Sequence, residues 1–195
     1  MRRAGRDPEG VLAIDGIGQP PEPPDERERL RATLSEHFAV VWRALRRFGV
    51  PQALVDDAAL HVFYVLSNHL AEVPAGKERA FLLSTALRVA ANERRKAARS
   101  RETPSADLDS EASGGANPEQ LLDWKERRLA LDDALSRLPL EQRAVFVLFE
   151  LEGFSLPEIA ETLSVPLGTA TSRLRRARVF FEGWVQARPE KGVLR

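Results

Sequence analysis

Between Thr169 and Arg178 the chain reads Thr-Ala-Thr-Ser-Arg-Leu-Arg-Arg-Ala-Arg, with three hydroxyls and four guanidiniums on one short run. These groups donate hydrogen bonds rather than make or break covalent ones. The guanidinium fork matches phosphate oxygens and the acceptor edge of guanine. No Asp or Glu occurs from Thr169 to Phe181, so no carboxylate one helical turn away neutralises the arginines. The chemistry this favours is recognition of a polyanion, set against the plainer reading of a solvated basic face. Other chemistries have no comparable support. The chain has no Cys, which removes a thiolate nucleophile, a disulfide framework and a thiolate zinc site. His37, His61 and His69 do not stand at metal-ligand spacing. No carboxylate pair suggests hydrolysis, and no Gly-rich phosphate loop is present. The expectation is a protein that is not an enzyme and needs no metal or cofactor.

The residues before the run supply the scaffold that a polyanion reader needs. Ser155 and Glu158, three apart, spell a capping box, with Pro157 tolerated in a first helical turn. Ile159, Ala160 and Leu163 give a short buried stripe. Ser164, Val165 and Pro166 form a corner, and Ala170, Leu174 and Ala177 give a second buried stripe. Small Ala160 and Ala170 let two short helices cross closely. This is helix-turn-helix patterning, in which the second helix enters the major groove. It tips the balance toward DNA binding.

The rest of the 195 residues sets the frame. Hydrophobic residues make up 43% and charged residues 30%, as in soluble globular proteins, and formal net charge is zero. Neutrality does not exclude nucleic acid when positive charge is concentrated on one face. The longest apolar runs are too short to span a bilayer, and the N-terminus has no signal-peptide core, so a cytoplasmic protein without membrane insertion is expected. Residues 1–29 read as a disordered tail. Helices are expected from about Leu30, with Leu30, Leu34, Phe38, Val41, Trp42 and Leu45 inward; over 52–70, with Leu54, Ala58, Val62 and Val65 inward; and over 79–99, with Phe81, Leu82, Thr85, Val89 and Asn92 inward. Ser100 to Gln120, poor in apolar residues, reads as a flexible acidic linker. Further helices are expected over 119–137 and 140–151, the latter ended by Gly153. The fold class is therefore all-α, with two small helical domains, 30–99 and 121–187, and a short tail at 188–195. From Arg79 to Arg101 there are seven basic residues and one acid, a second basic surface; from Glu102 to Glu126 there are seven acids and one Lys.

The stretch from Leu135 to Arg178 carries a resemblance: Leu138-Pro139 followed by Arg143, a Glu158-Ile159-Ala160 helix, and Leu167-Gly168-Thr169-Ala170-Thr171-Ser172-Arg173-Leu174-Arg175-Arg176-Ala177-Arg178. It resembles region four of the bacterial sigma-70 family, in its extracytoplasmic-function (ECF) group. Val55-Asp56-Asp57-Ala58-Ala59-Leu60-His61-Val62-Phe63 and Phe81 to Arg101 are similar, more loosely, to region two. Where the family has Gln and Glu, this chain has Leu60 and His61. The resemblance implies a sigma factor that binds core RNA polymerase and promoter DNA, with an anti-sigma factor as a further candidate partner. It implies docking on polymerase through Asp56, Asp57 and His61. The upstream, minus-thirty-five element would be read by Thr171, Ser172, Arg175 and Arg176, with Gly168, Thr169 and Arg173 on phosphates. The minus-ten element would be met by Arg88, Arg94 and Arg95 and by a base-capturing loop, about Ser67 to Lys77, containing Asn68 and Lys77. A stand-alone helix-turn-helix regulator binding operator DNA is the alternative, and an adaptor whose basic helix binds acidic partners is a third reading.

Overall fold

The computed structural model describes residues 25–99 and 118–187, and among these every regular element is helical, with no strand. The all-α class expected from the apolar periodicity is the observed one. Helices α1 (Glu26–Phe48), α2 (Gln52–His69) and α3 (Glu78–Arg99) pack on one another as a first group. Helices α4 (Pro118–Ser136), α5 (Leu140–Phe146), α6 (Leu156–Thr162) and α7 (Leu167–Gln186) follow, with α7 against α5 and α6. The tails at 1–24 and 188–195, and the expected linker up to residue 117, lie outside the described residues; Pro118 to Gln120 already belong to α4.

In the first group the buried side chains are Val41, Leu45 and Phe48 of α1, Val55, Val62 and Leu66 of α2, and Leu82, Leu83 and Ala86 of α3. Gly49 ends α1 at φ +97°, and its N–H and that of Val50 return to the carbonyls of Arg46 and Leu45. That left-handed closure suits glycine, which has no Cβ to clash. Three inward assignments are corrected. Leu34 and Leu54 are 41% and 42% exposed, and Asn92 is exposed on α3. In α1 and α2 the neighbours Thr33 and Val55 hold the buried positions, about 100° around the helix from the leucines. Helix α1 also starts earlier than expected: residues 26–29 are helical rather than tail, and Glu26 and Glu28 stand in its first turn, where acids favour the helix dipole.

In the second group Ile159, Ala170, Leu174, Ala177 and Phe181 meet Val145 and Leu148 in a buried layer. The Phe146 and Phe181 rings stack with centroids 4.1 Å apart. The helix expected over 140–151 is α-helical only to Phe146 and then widens into a π-helical turn, Val147–Leu151. One inserted residue barely alters an apolar pattern, so periodicity could not have revealed it. Gly153, at φ +72°, closes that turn in the left-handed conformation anticipated for it.

The two groups touch, α1 against α4 and α5 and α3 against α6. Arg143, 3% exposed, donates to the carbonyls of Ser136 (2.7 Å) and Leu138 (3.2 Å) and, across the junction, to that of Phe48 (3.1 Å). Those of Phe48 and Ser136 are helix-end carbonyls, which the helices cannot satisfy themselves. Burial, and then the like charge of Arg94, push the Arg143 guanidinium down to about 10, so it stays charged at neutral pH. A Cβ on Gly49 would stand 2.6 Å from Arg143 Nη1, so any larger residue there would push the tip of that guanidinium aside.

Candidate nucleic-acid interface

The α6–corner–α7 unit follows from local chemistry. The Ser155 hydroxyl accepts from the Glu158 N–H at 3.5 Å, and the Glu158 carboxylate accepts from the Ser155 N–H at 2.8 Å and the Ser155 hydroxyl at 2.6 Å. The hydroxyl first, and then the backbone N–H, hold the Glu158 carboxyl below its ordinary range. At the corner Ser164 takes φ +53°, the Val165 N–H donates to the Ala160 carbonyl at 2.9 Å, and Pro166 caps α7. Ala170, Leu174 and Ala177 face the core, as the spacing predicted.

The opposite face of α7 carries the polar set. Thr171 and Ser172 donate their hydroxyl protons to the carbonyls of Leu167 (2.9 Å) and Thr169 (3.0 Å), leaving oxygen lone pairs outward. Arg175 and Arg176 are exposed and Arg173 and Thr169 half-buried. Among the described residues no carboxylate lies within ion-pair distance of Arg173, Arg175 or Arg176. Arg178 differs: it pairs with Glu150 at 2.7 Å, and its guanidinium lies 5.0 Å over the Phe149 ring. The partner comes from another element, so the local sequence could not show it. Gly168 is exposed at the helix start with nothing within 4 Å of a built Cβ, which leaves the backbone there open to approach.

In the first group the expected residues divide. Arg88 and Arg95 lie on one exposed face of α3 with Asn92; Arg88 bonds the Ser84 hydroxyl at 3.1 Å, and Arg95 donates to the Asn92 side-chain oxygen. Arg94, though exposed, runs beside Gly49 toward Arg143 at the junction of the groups. Asn68 belongs to the last turn of α2 and donates its amide to the Tyr64 carbonyl at 2.9 Å. The loop itself is shorter than expected, because Leu70–Glu72 form a 3-10 turn, which leaves residues 73–77. Lys77 pairs with Glu161 of α6 at 3.3 Å. Asp56 accepts from the Trp42 indole N–H at 2.8 Å and so fixes α2 to α1. Asp57 and His61 instead line a groove of about 620 Å³ between α2 and α3, facing Arg95, Lys96 and Arg99. No group of His, Asp or Glu among the described residues could hold a metal ion.

Two features escaped sequence reasoning. Leu60 (59% exposed) and Tyr64 (65% exposed) stand one turn apart on α2, an outward apolar pair that the helical period would have revealed. Glu152 is buried between Arg47 and Arg79, partners far away in sequence, for which no local signal exists.

Comparison with known proteins joins these features. Residues 128–180 match the model of Sigma-70, region 4. An ECF RNA polymerase sigma factor, SigE, of Mycolicibacterium smegmatis is 31% identical over 176 residues, covering 88% of this chain and 66% of that protein. The ECF RNA polymerase sigma-E factor of Escherichia coli is 39% identical over 99 residues, 46% of this chain and 52% of that protein. The chain thus spans between half and about two thirds of the length of these relatives. The sigma factor RpoE of Bartonella quintana, solved in complex with the anti-sigma factor NepR, shares the fold with a TM-score of 0.65 at 17% identity, over 82% of this chain and 98% of that one. No helix among the described residues is long and apolar enough to cross a membrane. With the region-four match lying on the α6–corner–α7 unit and the SigE similarity running through both helical groups, the chain belongs to the sigma-70 family, in its ECF group.

Proposed function

We propose that this chain is a promoter-specificity subunit, a transcription initiation factor rather than an enzyme, which binds core RNA polymerase and reads promoter DNA with two helical domains, α1–α3 and α4–α7. The observation that carries the reading is the outward face of α7, where Thr171, Ser172, Arg175 and Arg176 stand over a buried Ala170–Leu174–Ala177 stripe. In the major groove of the minus-thirty-five element these four reach base edges, while Gly168, Thr169 and Arg173 meet phosphates. The first domain takes the minus-ten element as it opens, with Arg88 and Arg95 on the backbone and the loop 73–77 beside an unpaired base. Arg94 adds charge from the junction side. Asp56, Asp57 and His61 form the polymerase-docking face together with the exposed Leu60–Tyr64 pair, charge and apolar surface standing on one side of α2. An anti-sigma factor is a further partner, as for the B. quintana protein.

Transcription with core polymerase from a promoter library, repeated with Arg176→Ala, tests the reading. The substitution should cost about 1–3 kcal/mol at the upstream element and relax base preference at one position. Unchanged ranking of every upstream sequence would leave the arginines as an electrostatic anchor only. Full sequence preference without polymerase would indicate a stand-alone regulator.

A further inference from the structure

Arg29, on the first turns of α1, spends its whole guanidinium on one distant segment. Its Nε and Nη2 donate to Glu78 Oε1 at 2.8 and 2.6 Å. Its Nη1 donates to the Leu70 carbonyl at 3.2 Å, and its Nη2 also to the Val73 carbonyl at 2.6 Å. Leu70 opens the 3-10 turn that leads into the loop, Val73 follows that turn, and Glu78 starts α3 after the loop. One side chain therefore grips both stems of residues 73–77. Leu70 and Val73 are 3% and 5% exposed, whereas Pro74, Ala75, Gly76 and Lys77 are all exposed. The stems are anchored and the tip is presented.

The charges suit a fixed clamp. The Arg29 and Glu78 side chains are only 21% and 13% exposed. Burial pushes the Glu78 carboxyl up, but hydrogen bonds from its own backbone N–H and from Arg29 outweigh this and leave it below its ordinary range. A lysine could meet Glu78 but could not fork to two carbonyls as well, since a planar guanidinium presents its donors in a fixed array.

We propose that Arg29 is the positioning residue of the minus-ten loop, holding residues 73–77 in the shape that receives an unpaired base. This rests on the base-capturing role given to that loop above. A loop already ordered before it binds loses less conformational freedom on binding, so the clamp contributes to affinity for the correct base without touching it.

The test uses the full chain bound to core polymerase. The probe is a fluorescent single strand carrying the minus-ten segment of a promoter the complex transcribes, compared with the same strand made abasic at each position in turn. The unaltered complex should prefer the intact base at one position, and Arg29→Ala should reduce that preference about tenfold. Binding of an upstream-element duplex, measured alongside, should not change. Arg29→Lys should lose part of the preference, and it decides the matter if the Ala variant proves too unstable to assemble. Full preference in the Lys variant and in any assembled Ala variant would overturn the clamp and leave the loop's role intact. No abasic penalty at any position in the unaltered complex would overturn the loop's role and the clamp with it.

Discussion

Leu174 is 4% exposed on the inner side of α7, one turn from Ala170 and almost one from Ala177, both fully buried. A carboxylate there would be buried without a partner, because this layer is otherwise Val145, Leu148, Ile159 and Phe181. Leu174→Asp should therefore destabilise the α4–α7 group by about 3–5 kcal/mol, the cost of an uncompensated buried charge. Its thermal melting should fall well before any DNA contact is measured; unchanged melting would mean that the faces of α7 are reversed. Ser164 makes a subtler case. Its φ of +53° lies in the left-handed region, which β-branched residues adopt only under strain. Ser164→Val should lower stability by about 1–2 kcal/mol, whereas Ser164→Gly should stay close to the parent. Chemical denaturation of the three proteins would separate corner strain from a general sensitivity of the site.

At the scale of the helix, the cap on α6 links sequence to pH. Glu158 is held below its ordinary 4.5 by Ser155, so the stability it contributes is present above about pH 4.5 and is lost as pH falls through its lower folded value. Ser155→Ala should raise the Glu158 carboxyl toward 4.5 in an NMR titration. It should also cost about 0.5–2 kcal/mol at neutral pH, the usual effect of losing such a cap, with the difference between the proteins narrowing in acid. A Glu158 titration that does not move would show the hydrogen bonds to be dispensable. This cap was legible in the sequence because both partners lie three residues apart, and the same holds for the Ala170–Leu174–Ala177 stripe and the Gly153 closure. Periodicity was less reliable where two candidates for the inner face sit side by side: Thr33 and Leu34, or Leu54 and Val55, differ by one position and the packing of three helices decides between them. What could not be read were partnerships across the chain. Asp56, exposed as a docking residue must be, also gives one oxygen to the indole of Trp42, and Lys77 meets Glu161, 84 residues on.

At the scale of the molecule, the contact between the two helical groups sets up a conflict with the proposed function. Elements at minus ten and minus thirty-five lie about 25 base steps apart, about 85 Å of duplex at roughly 3.4 Å per step. Groups held with α3 against α6 cannot engage both. The contact is also chiefly ionic at one edge. Glu152, with its side chain 5% exposed, accepts from Arg47 at 3.0 Å and from Arg79 at 2.9 Å, and Arg79 also donates to the Glu152 carbonyl and lies 5.0 Å over the Phe154 ring. Burial lowers the Arg47 pKa more than Glu152 raises it, so desolvation opposes this pairing and the net gain is limited. Glu152→Gln, isosteric but neutral, should weaken the contact by about 1.5–3 kcal/mol, the range for hydrogen bonds to a charged group. Because the chain has no cysteine, a pair introduced at Ala71 and Gln186 would carry donor and acceptor dyes cleanly. Transfer efficiency should fall in Glu152→Gln with helix content unchanged, and should fall in the parent as salt is raised. Equal efficiency in both proteins at every salt concentration would show that the Arg143 bridge to Phe48 and the apolar contacts hold the groups together without Glu152.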